Sequence, residues 1–343
     1  IALENELQQS GAVHVIMPFF LQGGRLTVGD VHYVKEGDRL IPAAETPFAQ
    51  DATFGYRNSN LIDWVVEKRG SGFERSRVHS ISIDDVRTGN LDTLAARLAA
   101  VPQGDVVIVN SVTIRDAWAF ALAALEAERL GANLIYRTAA SFVQAYAGLD
   151  ERPLLRSEQM VASQNKAGLI VVGSYVPKTT TQLNSLLKQP QRPEYIVLEV
   201  EQLLSESRDH YLQGVSEEVN ALLRAGSDVV VNTSRGLITG DDDESNLRIG
   251  EQVSKAVVAL VRSVEVPLRF LIAKGGITSS DVATKALGVK RATVAGQILP
   301  GIPVWTLGPE SRFPKLPYVV FPGNVGDDDA LAVAYEKLRR PEA

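Results

Sequence analysis

A glycine-rich turn before a predicted helix is the first place in this sequence where the residue types could do chemistry. Residues 269–273 read RFLIA, a short apolar run typical of a buried strand, and Gly275 and Gly276 follow. Thr278 then begins a group of hydroxyl residues typical of a helix N-terminus. Such a turn presents free backbone N–H groups, and glycine lets an anion approach them. An ordinary strand-to-helix turn has the same pattern, so both interpretations stay open.

Two other segments repeat this plan. Each has an apolar run of four residues, then glycine with serine or asparagine, and they lie at 169–174 and 318–326. Ligands of open α/β sheets bind outside the carboxyl ends of the strands. We therefore expect the three strand ends to meet at one sheet edge. Ser174, Thr278 and Asn324 are then placed to add side-chain hydrogen bonds to a ligand.

Four motifs in the C-terminal half carry a resemblance to a known family. They read GSYVPKTT at 173–180, KGGITSSD at 274–281, GQILPGIPVW at 296–305 and FPGNVG at 321–326. In this order and spacing they resemble the four-carbon acid sugar kinase family. The N-terminal half resembles the same family more loosely, through PFFLQGGR at 18–25 and ETP at 45–47.

The resemblance implies an ATP-dependent kinase that uses Mg²⁺ and phosphorylates the terminal (4-) hydroxyl of a four-carbon sugar acid. Erythronate, threonate and a 3-oxo-tetronate are the expected kinds of substrate. In the family, the positions that match Ser174, 275–278 and Gly323 belong to ATP binding. With two further positions of the last turn, the expected nucleotide-binding residues are Ser174, Gly275, Gly276, Ile277, Thr278, Gly323, Asn324 and Gly326.

No catalytic residue is predicted within this chain. In the family, an Asp-Asp-x-Thr-Gly pattern and a Ser-Thr-x-Arg-Gly-Asn pattern precede the matched part, and neither occurs in this sequence. The residues from Ile1 onward are typical of the middle of an amphipathic helix and lack a start signal. The chain therefore resembles a member without its N-terminal segment, and we expect the catalytic aspartate upstream of Ile1.

Two arginines are candidates for binding the carboxylate of the acid. Arg25 follows two glycines, and Arg137 follows the predicted strand 133–136. A guanidinium at a strand end can bind a carboxylate with two parallel hydrogen bonds. A solvated surface arginine is the alternative for both. Residues 137–142 read RTAASF where many relatives carry a glycine-rich turn, so the sequence resembles a subgroup of the family.

Two acidic runs are candidates for Mg²⁺, which prefers carboxylate and phosphate oxygens. The run DDDE at 241–244 is more typical of a solvated loop. Asp327 directly follows Gly326 and opens a second run, although the dipole of a predicted helix also favours acids there. Asp327 is therefore the predicted metal ligand. The four histidines lack the spacing of a metal site.

The composition excludes several classes of protein. The chain has 343 residues, a net charge of −6 and no cysteine, so it has no disulfide, thiol nucleophile or cysteine-bound zinc. The acidic charge argues against nucleic-acid binding, and no apolar run approaches the roughly 18 residues of a membrane helix. We expect a cytoplasmic protein whose partners are a small sugar acid and ATP, with a homo-oligomer possible. Asn232 opens a glycosylation triplet of a kind that often occurs by chance.

Predicted strands and helices alternate along the chain, which favours parallel sheets with right-handed crossovers. The polar stretch 151–166 lacks periodicity and separates two such alternations. We predict an α/β fold with two three-layer α/β domains, mainly parallel sheets, and the active site in the cleft between them. The substrate (sugar-acid) domain spans 1–157 and lacks its N-terminal part, and the nucleotide-binding domain spans 158–343.

Two other functions stay open at this point. A catalytically inactive nucleotide-binding or regulatory relative would carry the same C-terminal motifs. A sugar-acid dehydrogenase or aldolase could have a similar α/β cleft, but the sequence has neither a dinucleotide fingerprint nor a histidine and cysteine cluster for a metal.

Overall fold

The computed structural model of the chain describes residues 6, 11–50, 55–70, 72–160, 167–234 and 243–339, with the backbone alone at 243–246. The chain divides into two compact units, Ile1–Glu151 (unit 1) and Arg152–Ala343 (unit 2). The predicted helical residues 1–5 and the acidic residues 241–242 lie outside the described residues. Among the helices in the described ranges, none has both the length and the apolar character needed to span a membrane.

Unit 1 contains seven strands and five α-helices in its described part. The strands are β1 (Val13–Met17), β2 (Arg25–Val28), β3 (Val31–Glu36), β4 (Arg39–Pro42), β5 (Val78–Ile81), β6 (Val106–Val109) and β7 (Leu134–Thr138). The helices are α1 (Leu61–Arg69), α2 (Ile83–Thr88), α3 (Leu91–Ala99), α4 (Ile114–Arg129) and α5 (Ala140–Tyr146).

Four parallel strands form the main sheet of unit 1, in the order β5-β6-β1-β7. One face of the sheet, which includes Val15 and Val107, packs against α3 and α4. The other face carries Ile16 and Ile108, which pack against Leu61 at the start of α1. Both faces are buried, which is why these strands read as continuous apolar runs in the sequence.

The strands β2, β3 and β4 form a separate antiparallel sheet that is attached to the main sheet of unit 1. Gly29 and Asp30 form its first turn and have positive φ angles of 56° and 62°, as a tight two-residue hairpin requires. The turn binds residues that follow β6. Asp30 N–H donates to Asn110 Oδ1 at 2.8 Å, and Thr27 and Ser111 exchange two backbone hydrogen bonds of 3.0 Å. The hairpin is thereby held at the carboxyl end of β6.

Unit 2 contains seven strands and six α-helices in its described part. The strands are β8 (Leu169–Val172), β9 (Glu194–Leu198), β10 (Val229–Thr233), β11 (Leu271–Lys274), β12 (Ala292–Leu299), β13 (Ile302–Leu307) and β14 (Pro317–Phe321). The helices are α6 (Pro177–Leu187), α7 (Val200–Leu203), α8 (Arg208–Arg224), α9 (Asp243–Ser263), α10 (Gly276–Asp281), which continues into a π-helical turn, and α11 (Ala330–Arg339).

The strands of unit 2 form one sheet in the order β12-β13-β14-β11-β8-β10-β9. The five strands from β14 to β9 are parallel, and β12 and β13 pair antiparallel at one side. Buried residues of β8, β10 and β11 pack against α8 and α9 in the core. The predicted α/β class and the mainly parallel sheets are confirmed.

Three details of unit 2 differ from the sequence analysis or add to it. No strand is predicted at β12 or β13. Ile298 is the one buried residue of β12, and a bulge at Gly296 interrupts the strand, so β12 lacks an apolar run. Helix α8 begins at Arg208, and its first turns are polar and partly exposed. Asn232 has only 1% of its surface exposed within β10, so a buried strand holds the glycosylation triplet.

A buried ion pair joins the amino ends of three strands of unit 2. The Asp228 carboxylate, 8% exposed, accepts a hydrogen bond of 2.9 Å at each oxygen from Nη2 of Arg269. It also accepts bonds from the Gly168 N–H at 2.6 Å and the Tyr335 hydroxyl at 2.9 Å. Burial, reinforced by the Asp228 charge, raises the pKa of Tyr335. These contacts hold the end of the sheet opposite the glycine-rich turns.

We expect Asp228→Asn to destabilise unit 2. Asparagine keeps the shape of the side chain but leaves the Arg269 charge without its buried partner, which costs on the order of 3 kcal/mol. Urea unfolding followed by circular dichroism measures the loss. Tyr335→Phe removes one neutral donor and should cost about 1 kcal/mol. Equal unfolding midpoints for Asp228→Asn and wild type would contradict this prediction.

His32 makes the stability of unit 1 sensitive to acid. Its Nδ1 lies 3.1 Å from Thr27 Oγ1 on the facing strand. Burial, and then the charge of Arg25, lower the pKa of His32 from its ordinary value of 6.5 to about 4. The unfolded chain therefore binds a proton more readily than the folded chain between these two values. The stability due to neutral His32 is complete above about pH 6.5 and is lost as the pH falls towards 4.

His32→Gln should reduce this acid sensitivity. The variant has no imidazole to titrate, so its unfolding midpoint should change less between pH 7 and pH 4.5 than that of the wild type. Thermal unfolding at the two pH values measures the difference. His210→Gln, at an exposed position of α8, is the matched control. The prediction is wrong if His32→Gln and His210→Gln respond to acid equally.

Candidate functional site

Three turns lie side by side at the carboxyl ends of β8, β11 and β14, as the sequence predicts. The last residues of the strands are in register, with Val172 beside Lys274 and Lys274 beside Phe321. Backbone hydrogen bonds continue past the strand ends. Gly173 N–H donates to Lys274 O at 3.1 Å, and Gly275 N–H donates to Phe321 O at 2.8 Å. The register therefore brings the three glycine-rich segments together.

Several of these glycines are required by the protein itself. A Cβ atom on Gly173 would lie 2.1 Å from Thr278 Oγ1, and a Cβ atom on Gly323 would lie 2.7 Å from Ser174 Oγ. Gly275 has a φ angle of +123°, and a Cβ atom there would lie 3.2 Å from the Cβ of Ser174. Ser174 is thus in contact range of Gly275 and Gly323, and Thr278 is in contact range of Gly173 and Gly275. No larger side chain fits between the turns.

Gly326 is required for a different reason. Its φ angle is +88°, which favours glycine, and a Cβ atom there would lie 2.5 Å from the Cβ of Ala330. The turn after β14 therefore lies close against the start of α11. Asn324 is partly exposed in this turn.

Gly276 is the exception among these glycines. It is exposed, and a Cβ atom on it would meet nothing within 4 Å. Ile277 beside it is 69% exposed. The N–H groups of Gly276, Ile277 and Thr278 have no hydrogen-bond partner in the described part of the chain, as expected for the first turn of a helix. This is open space lined by free backbone donors.

Lys274 is a further residue beside the glycine-rich turns, and although it begins the motif at 274–281 it is not among the predicted site residues. It is fully buried at the end of β11, and its Nζ donates to Pro322 O at 3.0 Å. The Nζ also lies 4.0 Å from the centre of the Phe321 ring, a favourable cation–π distance. The sequence did carry a signal for this residue, namely a lysine at the end of an otherwise apolar strand. Its charge lies directly below the turn formed by Pro322 and Gly323.

Asp327, the predicted metal ligand, is exposed just before α11. Its backbone carbonyl accepts a hydrogen bond of 2.7 Å from Gln182 Nε2. No group of three histidine, cysteine, aspartate or glutamate side chains that could hold a metal ion occurs among the described residues. Asp327 is thus available as a single carboxylate ligand.

Arg25 begins β2 in unit 1 and is partly buried. Its guanidinium lies 5.4 Å from the centre of the Phe48 ring. Burial lowers the pKa of Arg25, and the nearby groups of Tyr56 and Glu36 act in the opposite direction. Within the described residues, no carboxylate lies within ion-pair distance of its guanidinium. A partly buried cation without a carboxylate partner is suited to binding an anion.

Arg137 lies in a different environment from the predicted one. It is an exposed residue inside β7, not the residue that follows the strand, because β7 extends to Thr138. Its guanidinium stacks 4.8 Å from the centre of the Trp64 ring. In the described part of unit 1, no hydrogen bond or ring contact links Arg137 with Arg25.

Comparison with known proteins matches most of the chain to two described domains. Residues 1–146 match the sugar-binding N-terminal domain, and residues 169–331 match the nucleotide-binding C-terminal domain. The D-threonate kinase of Salmonella typhimurium strain LT2 is 25% identical over 307 residues, which cover 86% of this chain and 67% of that protein.

Two solved structures share the fold. A Salmonella typhimurium LT2 protein, solved as a proposed tRNA synthase, has a TM-score of 0.61 at 19% identity. The match covers 97% of this chain and 74% of the Salmonella chain. A Haemophilus influenzae protein has a TM-score of 0.54 at 19% identity, and the match covers 98% of this chain and 76% of the Haemophilus chain. At this identity the structures support the fold alone.

The two domain matches together cover most of the chain, in the order that the sequence motifs predict. They agree with the similarity to a sugar-acid kinase over most of the sequence. The chain belongs to the four-carbon acid sugar kinase family and is a phosphotransferase with an alcohol group as acceptor.

Proposed function

We propose that the protein transfers the γ-phosphoryl group of ATP to the terminal (4-) hydroxyl of a four-carbon sugar acid. Threonate, erythronate and a 3-oxo-tetronate are the proposed kinds of substrate. The observation that carries the proposal is the set of three contacting turns in unit 2, with free N–H groups beside the open space at Gly276. The relative that acts on D-threonate supports the substrate class.

The proposed nucleotide site uses the first turn of α10 and the turn after β14. Free N–H groups of Gly276, Ile277 and Thr278 point to a polyphosphate, because bare backbone donors favour anions. Ser174 lies in contact range of Gly275 and Gly323, and Asn324 is partly exposed in the turn after β14, so both side chains are proposed to donate to phosphate or ribose oxygens. The room at Gly276, where a Cβ atom meets nothing, fits a ligand that approaches the backbone closely.

Mg²⁺ fits this site with the protein supplying only a small part of its ligands. The ion keeps several waters and usually takes one or two carboxylates in addition to substrate phosphates. Asp327, exposed beside the turn after β14, is the proposed carboxylate. The ion would neutralise phosphate charge. Its ligands other than Asp327 and water would be phosphate oxygens.

The proposed acid-binding residue is Arg25. Its guanidinium, stacked on Phe48 and without a carboxylate partner in the described residues, can form two parallel hydrogen bonds to the substrate carboxylate. Neighbouring His32 is neutral near pH 7, because burial and the Arg25 charge lower its pKa to about 4, so Arg25 supplies the local positive charge. Arg137 is the alternative anchor, although its exposure favours Arg25.

Phosphoryl transfer of this kind depends on positioning and on charge stabilisation. We propose that residues 1–157 hold the acid and residues 158–343 hold the nucleotide. When each substrate is held at one end, the hydroxyl and the γ-phosphate have little freedom to move apart. Such positioning lowers the activation free energy of the transfer substantially. Binding of each substrate to the purified chain therefore tests the proposal.

Gly276→Val should abolish nucleotide binding without destabilising the protein. A Cβ atom at this position meets nothing within 4 Å in the folded chain, and the branched side chain occupies the space proposed for a phosphate. Isothermal titration with ADP and with a non-hydrolysable ATP analogue, both with Mg²⁺, measures binding, and thermal unfolding measures stability.

Gly214→Val is the matched control, because a Cβ atom at that helical position in unit 2 also meets nothing within 4 Å. It should bind nucleotide as the wild type does. If Gly276→Val binds ADP as tightly as Gly214→Val, the phosphates do not lie at Gly276.

Arg25→Lys should weaken binding of the sugar acid and leave ADP binding unchanged. Lysine keeps the charge but loses the planar pair of donors. A lost charge-assisted hydrogen bond costs about 1.5–3 kcal/mol, roughly a tenfold to hundredfold increase in Kd. Titration with threonate and erythronate measures this, and titration of the same sample with ADP is the internal control. Unchanged acid binding would move the anchor to Arg137 or to another residue.

A further inference from the structure

Three residues of helix α6 hold the backbone of the turn after β14, residues 323–327. Thr179 Oγ1 donates to Gly323 O at 2.9 Å. Gln182 Nε2 donates to Val325 O at 3.1 Å and to Asp327 O at 2.7 Å. Lys178 Nζ donates to Gly326 O at 3.3 Å. Four carbonyl groups of one turn are therefore bound by side chains from a single helix.

These contacts lie in the interior of unit 2. Thr179 and Gln182 are both 0% exposed. Gln182 Nε2 lies 3.4 Å from where a Cβ atom of Gly326 would stand, so the turn rests directly on the side chain. Thr179 Oγ1 is also 3.2 Å from Ser174 Oγ, which connects the turn after β14 with the turn after β8. Because these hydrogen bonds are buried, they hold the backbone of the turn in a single conformation.

The direction of the carbonyl groups sets the direction of the N–H groups. In a trans peptide, C=O and the following N–H point in opposite directions, and the described residues contain no cis peptide bond. Because the carbonyls of Gly323, Val325 and Asp327 point to α6, the N–H groups of Asn324, Gly326 and Asp328 point away from it. None of these three N–H groups has a hydrogen-bond partner in the described part of the chain.

We propose that Thr179 and Gln182 are positioning residues of the nucleotide site. By holding the carbonyls inward, they turn a row of N–H groups outward, and such a row binds a phosphate group. The ligand class is a nucleoside diphosphate or triphosphate. The proposal rests on the proposed function, and it assigns the turn at 323–327 to the phosphates and not to the nucleoside.

Two variants test the role of the donors. Thr179→Val replaces the hydroxyl by a methyl group of similar size. Gln182→Leu removes the amide that binds two carbonyls, and it also removes Oε1, which has no partner among the described residues. We expect each to raise the Kd for ADP with Mg²⁺ roughly threefold to tenfold, the effect of one or two lost hydrogen bonds.

Two matched variants separate positioning from general stability. Thr179→Ser keeps the hydroxyl and should restore ADP binding to within about twofold of the wild type, since the donor is retained. Thr181→Val changes an exposed threonine of the same helix whose hydroxyl binds only Pro177 O, at 3.3 Å, and should bind ADP normally. Thermal unfolding shows whether each variant is folded. If Thr179→Val does not fold, the ADP affinity of Gln182→Leu is compared with that of the wild type instead.

Binding of adenosine supplies a readout that a merely structural role would not produce. The loss in Thr179→Val and Gln182→Leu should be larger for ADP than for adenosine, because the outward N–H groups face phosphate. Wild-type ADP affinity in both variants, or equal losses for ADP and adenosine, would overturn the assignment while leaving the proposed function intact. A wild-type protein that binds neither ADP nor an ATP analogue would instead contradict the proposed function.

Discussion

Three parallel strands of unit 2 end so close together that their connecting turns touch, and the rest of the candidate site depends on this constraint. The register places Val172, Lys274 and Phe321 in one row. Beyond that row, a Cβ atom on Gly173 would come within 2.1 Å of Thr278, so the positions where the turns touch require glycine. The composition of the motifs follows first from packing between turns, and the same packing leaves the backbone accessible to a ligand.

The same turns must satisfy many backbone polar groups in a buried place, because an unpaired buried group is costly. Carbonyls of the turn after β14 are bound from inside the protein, by Lys274 at Pro322 and by Thr179 and Gln182 at the residues that follow. The N–H groups on the other side of these peptides have no such partners in the described residues. The proposed anion site thus consists of peptide groups whose carbonyls are bound by the protein and whose N–H groups are free among the described residues.

Unit 1 uses a different arrangement to present a charge. Its small antiparallel sheet is held at the carboxyl end of β6 through Thr27, Asp30 and Asn110. That attachment gives Arg25 a defined position against Phe48, where burial lowers the pKa of both Arg25 and His32. A cation on a rigid hairpin loses little freedom when it binds a carboxylate, which makes a single arginine an effective anchor.

Sequence alone determined the α/β class, the alternation of strands with helices and the glycine-rich turns, because apolar runs buried on both faces and glycine punctuation are local signals. The family followed from four motifs in order. Local signals were weaker where burial is partial. The partly exposed strands β12 and β13 were missed, and Arg137 was placed after a strand that in fact contains it.

Only the tertiary structure decided what each residue of the turns does. The sequence presents Gly275, Gly276 and Gly323 as equivalent, whereas contacts between strands that are distant in the chain require Gly275 and Gly323 and leave Gly276 facing open space. Likewise, Thr179 and Thr181 look alike in the sequence. One binds a carbonyl 144 residues away and the other binds its own helix. Such distinctions arise from long-range strand order and register, which no local pattern encodes.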